Sequence, residues 1–156
     1  MRSEGRSPTR TVVECAEFDC PFCDKARPTL DQLVDEHPEV AVAWMHNPLP
    51  FHPGAMVAAR AAVAAQAQGK FWEMHELLFD ESSRRGEDDM IAFAESLELD
   101  VARFRDDMGS KQTQAEIDTQ SEICRASGGK GTPAFFLGDE LLLGAQPYES
   151  FDRALE

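Results

Sequence analysis

The stretch TVVECAEFDCPFC, Thr11 to Cys23, decides how this chain is read. Its first six residues, TVVECA, are mostly β-branched or apolar, the composition of a strand buried on both faces. Its last four, Cys20-Pro21-Phe22-Cys23, put two thiols three residues apart. The residues that follow carry apolar side chains at helical spacing: Phe22, Ala26, Leu30, Leu33 and Val34. The cysteine pair therefore lies at a strand-to-helix junction. A thiol at a helix N-terminus meets unpaired backbone N–H groups and the positive end of the helix dipole, and both favour the reactive thiolate. Pro21 suits the first helical position because no N–H is needed there. Position alone then assigns roles: Cys20 attacks and is the more exposed, and Cys23, on the same helical face, resolves a mixed disulfide. Half of a zinc site and an inert structural disulfide are the alternatives. Zinc needs about four ligands, and there is no second C-x-x-C, while His46 and His52 lack a usual ligand spacing.

Outward from this junction, Pro38 closes the first helix and residues 40–46 (VAVAWMH) read as a second buried strand. The proline-rich residues 47–54 form a loop. Helices follow over 55–68, stopped by Gly69, and over 70–80, 87–97, 100–108 and 111–126, with Asp100 as an N-cap. Residues 134–137 and 140–143 are strands joined at Gly138-Asp139, a hairpin signal, and Pro147 opens a last helix. The order is β-α-β, a helical block, then β-β-α. It predicts an α/β fold: a mixed central sheet flanked by helices, with a helical insertion after the second strand. The expected layout is a flexible N-terminus over 1–10 and a single domain over 11–156. Residues 11–54 and 128–156 form its core, and about 55–127 its insertion.

With 15 basic and 29 acidic residues the net charge is −14. Nucleic acid and anionic membrane surfaces are thereby disfavoured as partners. No apolar run approaches the roughly 18 residues of a spanning helix, so membrane insertion is not expected. Residues 1–10 (MRSEGRSPTR) lack the apolar stretch of an export signal, which points to the cytoplasm or to a natural N-terminus that has been removed. Cys15 and Cys124 read as small buried apolar residues, and whether they pair depends on distances a sequence does not hold. His75, Phe71 and Trp72 read as packed helix residues, His37 as a helix-end dipole partner, and His52 as a candidate neighbour of the thiols.

Several motifs recur in order along the chain: EFDCPFC, PLPFHPGA, GKFWEMHELLF, GTPAFFLGDE and GAQPYESF. Together with Pro28 inside the first helix and Thr132-Pro133 before the third strand, they resemble the DsbA-like bacterial thiol–disulfide oxidoreductases of the thioredoxin superfamily. The resemblance runs from about Thr11 to the C-terminus. It implies a thioredoxin-like fold and disulfide exchange with protein dithiols through Cys20 and Cys23. It implies no cofactor, and an unidentified redox partner that recycles the pair. It places Pro21, Phe22, Thr132 and Pro133 at the substrate, with a cis Thr132–Pro133 bond, and puts Glu14 as a buried acid beneath the resolving sulfur, where it takes the Cys23 proton. A Glu14 held only in an ion pair is the alternative. The resemblance also implies a periplasmic or cell-envelope location if an export signal was removed. Phe22 departs from the family's best-known oxidant, which has histidine there and so a charge to offer the thiolate. Two other readings remain: a glutathione-dependent transferase or isomerase, which would not need Cys23, and a non-catalytic module that binds a partner or a transporter domain.

Overall fold

A computed structural model describes residues 7–156. The flexible terminus expected over residues 1–10 lies mostly outside the described residues, and Arg10 already belongs to the first strand. The elements are β1 (Arg10–Ala16), α1 (Pro21–Glu36), β2 (Val40–His46), α2 (Ala55–Gln66), α3 (Phe71–Asp80), α4 (Glu87–Ser96), α5 (Val101–Met108), α6 (Lys111–Ala126), β3 (Ala134–Leu137), β4 (Glu140–Leu143) and α7 (Tyr148–Leu155). The sheet runs β2-β1-β3-β4. β1 and β2 are parallel, joined by α1, while β3 and β4 form an antiparallel hairpin against β1. This is a thioredoxin-like α/β fold.

Strand alternation sorts the side chains of β1 between the two faces. Val12 packs with Leu30, Leu33, Val34, Phe135, Phe151 and Leu155, the core under α1 and α7. Cys15 points the other way, into a small cluster with Cys124 of α6 and Ala134. A period of two therefore sends Glu14 toward the α1 face, together with Val12. In the register Glu14 lies between Trp44 of β2 and Phe135 of β3.

The helices between β2 and β3 pack on their own apolar faces, and α2 supplies mostly alanine, which lets its neighbours approach closely. Phe18, in the connection from β1 to α1, plugs this layer. It stacks on Trp44 at 4.6 Å and meets Phe79 at 5.1 Å and His75 at 5.7 Å. His75 is buried in that aromatic cluster. Two local expectations change. Pro147 is the cap before α7 rather than its first residue. His37 closes α1 but also touches Tyr148 and Asp152, so it ties α1 to α7.

Candidate active site

Cys20 is the residue before the first turn of α1, with an extended backbone (φ −81°, ψ 115°) and Pro21 opening the helix. The N–H groups of Cys23 and Asp24 return to its carbonyl at 3.1 and 3.2 Å, so the turn closes around the sulfur. Both thiols are free and buried, Cys20 at 3% exposure and Cys23 at 0%. The expected difference in exposure is therefore slight; the difference in acidity is large. The Cys20 thiol is pulled down to about 5. The hydrogen bond from Cys23 contributes most and burial opposes it, while Thr132 and the N–H groups of Cys23 and Phe22 lower it further. No histidine is needed: Phe22 is 59% exposed and offers no charge. Burial pushes the Cys23 thiol up, and the neighbouring Cys20 adds to the rise.

Thr132 approaches from the far end of the chain. Its carbonyl accepts from the Cys20 Sγ at 3.5 Å, and its bond to the buried Pro133 is cis. The buried Thr132 hydroxyl faces that sulfur and supplies its share of the pull on the Cys20 thiol. The Pro133 carbonyl is taken by the Gly144 N–H, which fixes the loop against β4. Glu14 is 2% exposed, and burial, followed by the charge of Cys20, raises its carboxyl to about 8. It borders a narrow cavity of about 10 Å³ with Arg27, Asp31, Trp72 and His75.

Two acids nearby were not singled out from the sequence. Glu17, only 1% exposed, bonds His52 Nδ1 at 2.6 Å. Asp19 takes Arg85 Nε and the Gly54 N–H, each at 2.8 Å. Gly54 is required there, because a Cβ would lie 2.5 Å from the Asp19 carboxylate. A signal existed: both acids precede Cys20 in EFDC, and parallel pairing of β1 with β2 brings the loop after each strand to one sheet edge. Cys15 and Cys124, buried as expected and with their pairing left open by the sequence, are joined in a disulfide with Cα atoms 6.0 Å apart. α6 packs along β2 and carries Cys124 over the face of β1 to which strand alternation sends Cys15.

Known proteins place this arrangement. Residues 11–156 match the family described as a DSBA-like thioredoxin domain. The structure of a thioredoxin-like oxidoreductase from Silicibacter pomeroyi superposes with a TM-score of 0.85 at 30% identity, covering 95% of this chain and 85% of that one. A periplasmic thioredoxin-like protein from Salmonella enterica serovar Typhimurium superposes with a TM-score of 0.82 at 24% identity, over 99% of this chain and 86% of that one. Among curated relatives, a protein of Salinispora tropica named Na(+)/H(+) antiporter NhaA 3 is 37% identical over 146 residues, which is 93% of this chain but 22% of the relative. The chain thus spans under a quarter of the length of that relative. With the strand-helix junction, the thiol pair and the fold all accounted for, the chain belongs to the DsbA-like thioredoxin-domain family.

Proposed function

We propose that this chain oxidises protein dithiols to disulfides through Cys20 and Cys23. The observation that carries the reading is the split in acidity between the two thiols, Cys20 held near 5 and Cys23 driven upward. A stabilised Cys20 thiolate favours the reduced pair, and a pair that prefers to be reduced is an oxidant. A substrate thiolate attacks the Cys20 sulfur of the oxidised pair. The Cys20–Cys23 bond breaks, and Cys23 leaves as a thiolate that takes a proton, with Glu14 beside it as donor. The second substrate thiolate then attacks the substrate sulfur of the mixed disulfide and expels Cys20, a good leaving group because its pKa is low. Two electrons pass from substrate to the pair, and an unidentified redox partner removes them. When the reaction runs backwards, Glu14 accepts the Cys23 proton.

Pro21, the exposed Phe22 and the Thr132-Pro133 loop border the sulfur, and we assign them to substrate contact. Since one structural neighbour is periplasmic, the cell envelope is the location in keeping with an oxidant. The antiporter relatives favour one second reading, a domain carried by a transporter. An asymmetric thiol pair is superfluous for binding alone, which favours catalysis whether or not a transporter is attached.

The test is equilibration with glutathione, followed by oxidation of a reduced, unfolded protein. A reduction potential near about −120 mV supports the oxidant, and one near about −270 mV makes the chain a reductant. Failure to exchange at all would leave the binding module.

A further inference from the structure

The segments leaving β1 and β2 meet beside the thiols. Because the two strands are parallel with Ala16 opposite His46, Glu17 and the loop that carries His52 emerge at the same sheet edge. Glu17 Oε1 lies 2.6 Å from His52 Nδ1, and Oε2 accepts the Asp19 N–H at 3.3 Å. The backbone N–H of Glu17 faces the Cys23 sulfur, and its carboxyl lies within the field of Cys20. His52 is 25% exposed and lines an open cleft of about 450 Å³ between the loop prolines and α6. A hydrogen-bonded acid–imidazole pair therefore runs from solvent to the redox centre.

Resting on the oxidant reading above, we propose that Glu17 and His52 together take up one proton when the Cys20–Cys23 disulfide is reduced, and return it when the disulfide re-forms. The balance is direct. A substrate dithiol gives up two electrons and two protons as its disulfide forms. One proton stays on Cys23 as the thiol. Cys20 remains a thiolate at neutral pH, so the second proton would otherwise go to water. The Glu17–His52 pair, carrying one negative charge when its imidazole is neutral, becomes neutral on accepting it.

Electrostatics give the direction. A Cys20 thiolate repels the Glu17 carboxylate, and a Cys20 held in a disulfide does not. Burial first, with the Cys20 charge adding to it and His52 opposing, brings the Glu17 carboxyl up to about 7. The proton is therefore held more tightly in the reduced protein, and by linkage the protonated pair stabilises the thiolate by the same factor. The other charges facing the pair are Asp19 with its Arg85 partner and, across the cleft from His52, Asp118, Glu122 and Arg125 of α6. Asp19 is neutralised by Arg85, and the α6 residues lie on the solvent side, so Cys20 is the neighbour whose charge changes with redox state.

The equilibrium constant with glutathione, measured across pH, tests this. Without the pair, each disulfide reduced by two glutathione thiols releases one proton near neutrality, and the constant changes about tenfold per pH unit. With the pair, no net proton is released, and the constant stays nearly flat between about pH 6 and 7. The native chain should be flat, and Glu17→Gln and His52→Gln should each restore the tenfold dependence. A tenfold slope in the native chain overturns the proposal, and that measurement needs no variant to fold. A flat slope in the native chain and both variants also overturns it, since the proton then sits elsewhere. Exchange with the wrong slope leaves the oxidant reading intact, whereas absence of exchange sinks both. In the native chain, the His52 imidazole NMR signals should also move between the oxidised and reduced forms near pH 6.5, and unmoved signals count against the pair.

Discussion

This chain carries two cysteine pairs that begin five residues apart, and they behave as opposites. Cys15 lies mid-strand, and Cys124 lies in the last turn of α6, where the helix dipole is negative and opposes a thiolate. Their sulfurs are bonded in a cluster that Ala134 closes, at 1% and 0% exposure. Cys20 stands at the other kind of helix end, before α1, with N–H groups, a thiol donor and Thr132 around its sulfur. Both pairs are buried, so burial does not distinguish them. Which end of a helix a sulfur meets, and whether polar groups surround it, separates a staple from a reagent.

The largest effect should come from breaking this division of labour. Cys20→Ser should lower dithiol oxidation on the order of 1,000-fold or more, because no other thiolate is poised at that place. Changing Cys15 and Cys124 together to Ala should leave the turnover rate within about twofold, since neither is among the groups that set the acidity of Cys20. Turnover of a reduced model protein by each variant decides it. If the Cys15/Cys124 variant lost activity as Cys20→Ser does, the two pairs would share electrons and the contrast would be false.

The second effect concerns stability. The Cys15–Cys124 bridge spans 109 residues and so constrains most of the unfolded chain. Its removal should cost about 2–4 kcal/mol in denaturant melts, with the fold retained. Breaking the Cys20–Cys23 bond should act in the opposite direction. The folded Cys20 pKa is depressed to about 5, so it adds stability to the reduced protein at neutral pH, and that gain is lost as pH falls through 5. Between pH 4 and pH 6 the reduced form should gain about 1–1.5 kcal/mol on the oxidised one. Paired melts of the two forms check this, and a difference that does not vary with pH would mean that Cys20 is not ionised.

The sequence announced most of the fold because each element states its own period and punctuation. Alternation and β-branching mark β1 and β2, Gly138 at φ +57° turns the β3–β4 hairpin, and Asp100 caps α5 by accepting the Arg103 N–H. The motif and its helix junction were equally local. What escaped was long-range. The Cys15–Cys124 bond depends on where α6 crosses the sheet, and the Thr132 contact to Cys20 joins residues 112 apart. Only the family resemblance drew attention to that loop. Glu17 was hidden by type: a carboxylate in an apolar run is conspicuous, but its partner His52 comes 35 residues later and meets it only through parallel strand pairing. Pairing between distant segments has no local signature in a single sequence.

The smallest effect sharpens the contrast at the strand itself. Glu14 and Cys15 are adjacent, and alternation sends one toward the redox pair and the other toward the staple. The Glu14 carboxyl is raised to about 8 by burial first and by Cys20 second. For a folded pKa above the unfolded one, stability is fully present below the unfolded value and declines as pH rises through the folded value. Glu14→Gln removes that decline. The variant should therefore gain about 1–2 kcal/mol at pH 8, allowing for the cost of burying an amide, and nothing at pH 4. It should also slow formation of the mixed disulfide, the step in which Cys23 leaves and takes its proton, by about tenfold or more, while leaving the release step, which expels Cys20, nearly unchanged. Stopped-flow traces that separate formation and release of the mixed disulfide, with melts at both pH values, test the two halves together. Equal slowing of both steps, or a loss of stability at pH 8, would make Glu14 a structural partner and leave Cys23 to exchange its proton by another route.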